Sequence, residues 1–208
     1  MLYVIGIGPG DPDYILPAAL KTAGKCQALA GGKRALALFL EGEQERYQVT
    51  GDLEGLKNFL LLKLEEGKDV AVLVSGDPGF YSLLGFLRKH FAAEALEVIP
   101  GISSLQLAFA RAGLAWQQAE LGSVHGRSLA EIDPAPGVLL GLLTGKDNPP
   151  QKIAAHLLSK GPNRRVFLAN NLSYPGELCF KTDLHTLTRD DAAYDNAVVL
   201  VMPVEEDN

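Results

Sequence analysis

The chain has 208 residues, 47% of them hydrophobic and 21% charged, the composition of an ordinary globular protein with room for one large domain or two small ones. Its net charge of −6 argues against a general nucleic-acid binder, which would carry a basic surplus. No run approaches the roughly 18 apolar residues of a membrane span, and Met1-Leu2-Tyr3-Val4 lacks the basic start and cleavage site of a secretion signal. The expectation is a cytoplasmic protein with neither a membrane nor a nucleic-acid partner.

Apolar runs of strand length alternate with helical patterns along the whole chain, which predicts an α/β protein with a mostly parallel sheet. The first strand, Leu2–Ile7, runs into Gly6-Ile7-Gly8-Pro9-Gly10-Asp11, and a helix follows over Leu16–Ala23. Next come a strand over Cys26–Ala30, a helix over Lys33–Leu40 and a helix over Leu53–Glu66. In that last helix Leu53, Leu56, Phe59, Leu60 and Leu64 form an apolar stripe, Asp52 is the N-cap and Gly67 the stop. The apolar strand Asp69–Ser75 opens into Ser75-Gly76-Asp77-Pro78-Gly79-Phe80-Tyr81, and a helix spans Tyr81–Phe91. The strand Leu96–Ile99 leads to Pro100-Gly101-Ile102-Ser103-Ser104 and the helix Ser103–Ala112.

A change of character near Gly113-Leu114-Ala115-Trp116 divides the sequence into domains of residues 1–114 and 115–208. The second domain reads as strands Ala119–Val124, Val138–Leu143, Arg165–Ala169, Glu177–Lys181 and Ala197–Met202, with helices Gln151–Ser159 and Leu184–Thr188. Polar joins such as Thr144-Gly145-Lys146-Asp147-Asn148-Pro149-Pro150 link them. Cys26 and Cys179 stand alone without metal-ligand spacing and read as reduced thiols, so no protein-bound metal is expected.

Three strand-to-loop junctions rich in glycine point to a small-molecule site at the carboxyl ends of a sheet. The dinucleotide fingerprint would need a third glycine where Asp11 stands, although Lys33-Arg34 after the second strand would suit a 2′-phosphate. No Walker lysine follows the first loop, and Asp11 repels polyphosphate, so a less anionic adenosyl ligand fits better. Asp77 reads either as a turn aspartate accepting a backbone N–H or as a carboxylate facing a cationic or ribose-like group. Ser103 and Ser104 serve equally as a helix cap and as part of a carboxylate site. His125 is structural or catalytic, and Arg127 beside it is a suitable carboxylate anchor.

Taken in order, Ile5-Gly6-Ile7-Gly8-Pro9-Gly10, Ser75-Gly76-Asp77-Pro78-Gly79-Phe80 and Val98-Ile99-Pro100-Gly101-Ile102-Ser103-Ser104 resemble the tetrapyrrole methylase family across essentially the whole chain. Pro100–Arg111, Gly113-Leu114-Ala115-Trp116-Gln117 and His125-Gly126-Arg127 look like its cobalamin-pathway branch, the C5-methyltransferases acting on precorrin-7 or its cobalt form. Ala35 departs from the histidine that often follows Arg34 in that branch. Some relatives are the first half of a longer enzyme that also methylates C15 and removes a carboxyl group. This sequence ends at Asn208, so a separate C15 enzyme is expected as its pathway partner.

The resemblance implies a two-domain fold with a mostly parallel N-terminal sheet, a mixed C-terminal sheet and an active site in the interdomain cleft. It implies S-adenosylmethionine as methyl donor, a tetrapyrrole as acceptor and a homodimer. By resemblance Gly8, Pro9, Gly10, Gly76, Asp77, Phe80, Ser103 and Ser104 meet the donor, as do Leu143, Leu172 and Ala197 from the second domain. Arg111, Arg127 and Lys146, with Lys33 and Arg34, are candidate anchors for the acceptor's carboxylates. His125 is the candidate for proton removal.

Overall fold

The computed structural model describes residues 1–39 and 42–204, so Leu40, the last residue of the helix expected from Lys33, lies outside the described residues. The chain forms two compact units, Met1–Ser103 and a second beginning at Ser104.

The first unit contains β1 (Leu2–Gly6), α1 (Pro17–Lys25), β2 (Ala28–Gly31), α2 (Lys33–Ala37), β3 (Glu45–Gln48), α3 (Leu53–Glu65), β4 (Val70–Val74), α4 (Leu84–His90) and β5 (Leu96–Ile99). Its five strands pair in the order β3-β2-β4-β1-β5, every pair parallel. A parallel sheet of this kind is covered on both faces, and all five residues of Val70–Val74 are buried. The strand period divides them. Ile5, Leu29, Ala71 and Leu73 pack with Ala19 and Ala23 of α1 and Leu36 of α2. Val4, Val70 and Val72 turn the other way, onto Leu56 and Leu60 of α3 and Leu87 of α4. Each such Leu or Ile contributes about 1.5–3 kcal/mol by leaving water. The α3 stripe buries as its sequence predicts, and the Asp52 carboxylate accepts the Gly55 N–H at 2.8 Å.

The sequence reading missed β3. Its residues Glu45-Arg46-Tyr47-Gln48 are mostly exposed, and at the sheet edge no apolar alternation is needed. Charge protects that edge: Glu45 pairs with Lys63 at 2.6 Å and also with Lys68.

The second unit contains α5 (Ser104–Ala112), β6 (Glu120–Ser123), β7 (Leu140–Leu143), α6 (Pro150–Lys160), β8 (Arg165–Asn170), β9 (Leu178–Asp183), α7 (Leu184–Leu187) and β10 (Val198–Val201). The strand order is β6-β7-β10-β8-β9; β6 and β7 are parallel and the other pairs antiparallel, the mixed sheet that was expected. Leu142, Leu168 and Val199 bury against Ile153 and Leu157 of α6 and Leu184 of α7. On the opposite face α5 packs against β7 and β10, with Leu105 and Phe109 close to Gly141. The boundary drawn after Leu114 falls beyond α5, whereas the division into units falls before it, because α5 spends its apolar face on the second sheet.

Candidate active site

The parallel register brings the ends of β1, β4 and β5 to one level, Gly6 opposite Val74 and Ile5 opposite Ile99. The three glycine loops therefore leave the sheet side by side. The first two are tied directly: the Gly76 N–H donates to the Gly8 carbonyl at 2.7 Å, and the Ile7 N–H to the Val74 carbonyl at 3.0 Å. A Cβ on Gly6 would lie 2.6 Å from the Gly76 oxygen and 2.7 Å from the Gly101 nitrogen, so this junction admits no side chain. Gly8 stands at φ +76°, and a Cβ there would also meet the Tyr14 carbonyl.

Asp77 locks the second loop to the third. One carboxylate oxygen accepts the Gly79 N–H at 2.7 Å and the other accepts the Gly101 N–H at 3.0 Å. The first of these is the hydrogen bond expected of a turn aspartate. Pro9 and Pro78 are buried in the same loops, Gly10 is half-buried, and Phe80 meets Tyr81 edge-on at 4.8 Å. Ser103 is buried immediately before α5, and Ser104 is the first residue of that helix. Asp11, read as a repulsive charge, caps the short helical turn Pro12–Tyr14 by accepting the Asp13 N–H at 2.9 Å.

In the second unit, the ends of β6, β7 and β8 and the start of β10 share one edge of the sheet, with Val198 opposite both Leu143 and Ala169. Leu143, Ala197 and the turn after β8 that carries Leu172 therefore belong to one end of this sheet. Thr144 joins the first two, its hydroxyl donating to the Ala197 carbonyl at 2.9 Å. At the same end, the loops with His125, Arg127 and Lys146 are held by Asn148. This buried amide donates to the Val124 carbonyl at 3.0 Å and the Arg127 carbonyl at 2.8 Å. The His125, Arg127 and Lys146 side chains are exposed.

Arg111 is paired with Glu177. Its Nε donates to Glu177 at 2.6 Å and its Nη2 to the other carboxylate oxygen at 3.4 Å, which holds the Glu177 carboxyl below its ordinary range. Sequence reasoning also passed over Asn170, whose amide oxygen is buried at the end of β8 without a hydrogen-bond partner among the described residues. A polar residue closing an apolar strand was the available signal.

A cavity of about 440 Å³ lies in the first unit beyond β2 and β4, with Lys33, Arg34, Ser75, Tyr81 and Ser82 on its wall. Among the described residues no group of three His, Cys, Asp or Glu side chains could hold a metal ion, and no helix is long and apolar enough to cross a membrane.

Residues 1–188 match the family described as tetrapyrrole (corrin/porphyrin) methylases. The chain belongs to this family. The methylase is 35% identical over 178 residues to the cobalt-precorrin-7 C(5)-methyltransferase of Salmonella typhimurium, covering 85% of this chain and 88% of that one. It is 31% identical over 204 residues to a probable cobalt-precorrin-7 C(5)-methyltransferase of Methanocaldococcus jannaschii, covering 93% and 94%. Among solved structures it shares the fold of the uroporphyrin-III C-methyltransferase from Thermus thermophilus complexed with S-adenosylhomocysteine. That likeness has a TM-score of 0.78 at 22% identity and covers 97% and 96% of the two chains. The methylase is accordingly an α/β methyltransferase of one parallel and one mixed sheet, as the resemblance implied.

Proposed function

We propose that this methylase transfers the methyl group of S-adenosylmethionine to C5 of precorrin-7 or cobalt-precorrin-7. The observation that carries the reading is its likeness to C(5)-methyltransferases over most of both chains.

The residues present fit the donor. Three loops approach one another backbone to backbone with no room for a side chain at Gly6, and the Asn170 oxygen, buried without a partner among the described residues, is an acceptor suited to an exocyclic amine. When bound, the donor supplies a sulfonium-borne methyl group, and the acceptor's conjugated ring supplies the electron pair that forms the new carbon–carbon bond as the sulfur–carbon bond breaks. The protein needs no covalent nucleophile. Its task is alignment, which can supply roughly 7–11 kcal/mol of the barrier.

In this reading Gly8, Pro9, Gly10, Gly76, Asp77, Phe80, Ser103 and Ser104 hold the donor from the first loops, and Leu143, Leu172 and Ala197 from the second sheet. Arg127 and Lys146 take acetate and propionate groups of the acceptor, a guanidinium matching two carboxylate oxygens at once. His125 takes up the proton that the ring carbon releases. The working form is a homodimer in the cytoplasm, and a separate enzyme methylates C15.

Incubation with S-adenosylmethionine and each corrin intermediate, read by mass spectrometry, tests the assignment. A gain of one methyl with precorrin-7 or cobalt-precorrin-7 is expected; turnover of a different intermediate instead would move the reaction to another ring carbon.

A further inference from the structure

The turn after β8 is strained. Asn171 and Ser173 stand at φ 50° and 65°, with Gly176 at 85°. Two hydrogen bonds fold it, Tyr174 N–H to the Asn171 carbonyl at 2.9 Å and Glu177 N–H to the Tyr174 carbonyl at 3.0 Å. Left-handed conformations at non-glycine residues persist only where the surroundings over-determine them. Here the Glu177 carboxylate supplies part of that constraint. It accepts the Ser173 N–H at 2.6 Å and, alongside, the Arg111 guanidinium. Arg111 is itself fixed in space. It lies in the last turn of α5, which closes through Gly113 N–H to the Ala110 carbonyl and Leu114 N–H to the Phe109 carbonyl, with Gly113 at φ 68°.

We propose that Arg111 and Glu177 form a brace that holds the Asn171–Gly176 turn, and Leu172 within it, in the shape the methyl donor meets. Glu177 is a positioning residue, and Arg111 serves the donor through it rather than binding the acceptor's carboxylates. One ion pair thereby links the helix that starts at Ser104 to the turn that carries Leu172. The inference rests on the donor reading above and adds two residues to it.

The test is S-adenosylhomocysteine calorimetry, with KM for donor and acceptor, on Glu177→Gln, Arg111→Ala, Arg111→Lys and the Glu177→Gln/Arg111→Ala double variant. Each of the first two should weaken S-adenosylhomocysteine binding by about tenfold, the worth of one supporting hydrogen bond. The double variant should be no weaker than the worse single, Arg111→Lys should recover part of the loss, and acceptor KM should stay within about twofold. Raised acceptor KM in Arg111→Ala with donor affinity intact would overturn the proposal. So would a lowered urea midpoint in both variants with no change in donor affinity. Failure of the unaltered protein to bind S-adenosylhomocysteine is a different result, which refutes the proposed function itself.

Discussion

At Asp77 a single carboxylate holds backbone N–H groups from two loops, those of Gly79 and Gly101. Hydrogen bonds to a charged acceptor are worth about 1.5–3 kcal/mol at best, and partial exposure of this site lowers that figure. A side chain at Gly6 would collide with the backbone of the other two loops, so the junction is held by backbone hydrogen bonds between the first two loops and by this carboxylate between the second and the third. Asp77→Ala should therefore fold, lose about 1–2 kcal/mol in urea unfolding, and bind S-adenosylhomocysteine more weakly. Asp77→Asn should not restore binding, since its amide nitrogen turns a donor toward one of the two N–H groups. If calorimetry finds Asp77→Ala unchanged in affinity, Asp77 leaves the donor site and keeps only its part in the loop junction.

Elements differ in how much of themselves they write into sequence. The strand β4 was legible because both of its faces are buried, so Val70–Val74 is one apolar run. The helix α3 was legible because Asp52 and the Leu56 and Leu60 spacing are local signals. The strand β3 was not, since an exposed edge imposes no apolar pattern on Glu45–Gln48. The candidate site divides in the same way. Its glycine loops announced themselves through short-range composition, whereas Asn148 reaches Val124 across 24 positions and read only as part of a polar join. The Arg111–Glu177 pair spans 66 positions and had no local signature at all. Asn148→Ala would remove the amide donor shared by the Val124 and Arg127 carbonyls, costing about 1–3 kcal/mol in urea unfolding. Steady-state kinetics should then show a raised acceptor KM with donor KM held, because His125, Arg127 and Lys146 ride on the loops it pins. An equal rise in both would detach those loops from acceptor binding.

Over the whole molecule, titration brackets stability from two sides. In the first unit Lys63 and Lys68 hold the Glu45 and Glu66 carboxyls below their usual 4.5. In the second, Arg111 does so for Glu177, while hydrogen bonds from Thr186 and Tyr194 lower Asp183 and Asp190 from 3.8. A depressed folded value means stability that is present above the unfolded value and lost as pH falls through the folded one, so the acid limb lies below about 4.5 in both units. The alkaline limb is more specific. Burial among Ala19, Ala23 and Leu29 pushes the Cys26 thiol from 9.0 up to about 11, with the Asp69 charge adding to the rise. A raised folded value reverses the sign: the contribution is whole below 9.0 and disappears between 9.0 and about 11. Across that window a single such group gives a slope approaching about 1.4 kcal/mol per pH unit. Cys26→Ala loses packing at every pH but has no thiol to ionise. Urea unfolding of the two proteins should therefore differ most near neutrality, and the gap should narrow as pH rises past 9.0. Parallel curves through that window would mean that the Cys26 thiol titrates alike in the folded and unfolded chain, and that its burial carries no electrostatic cost.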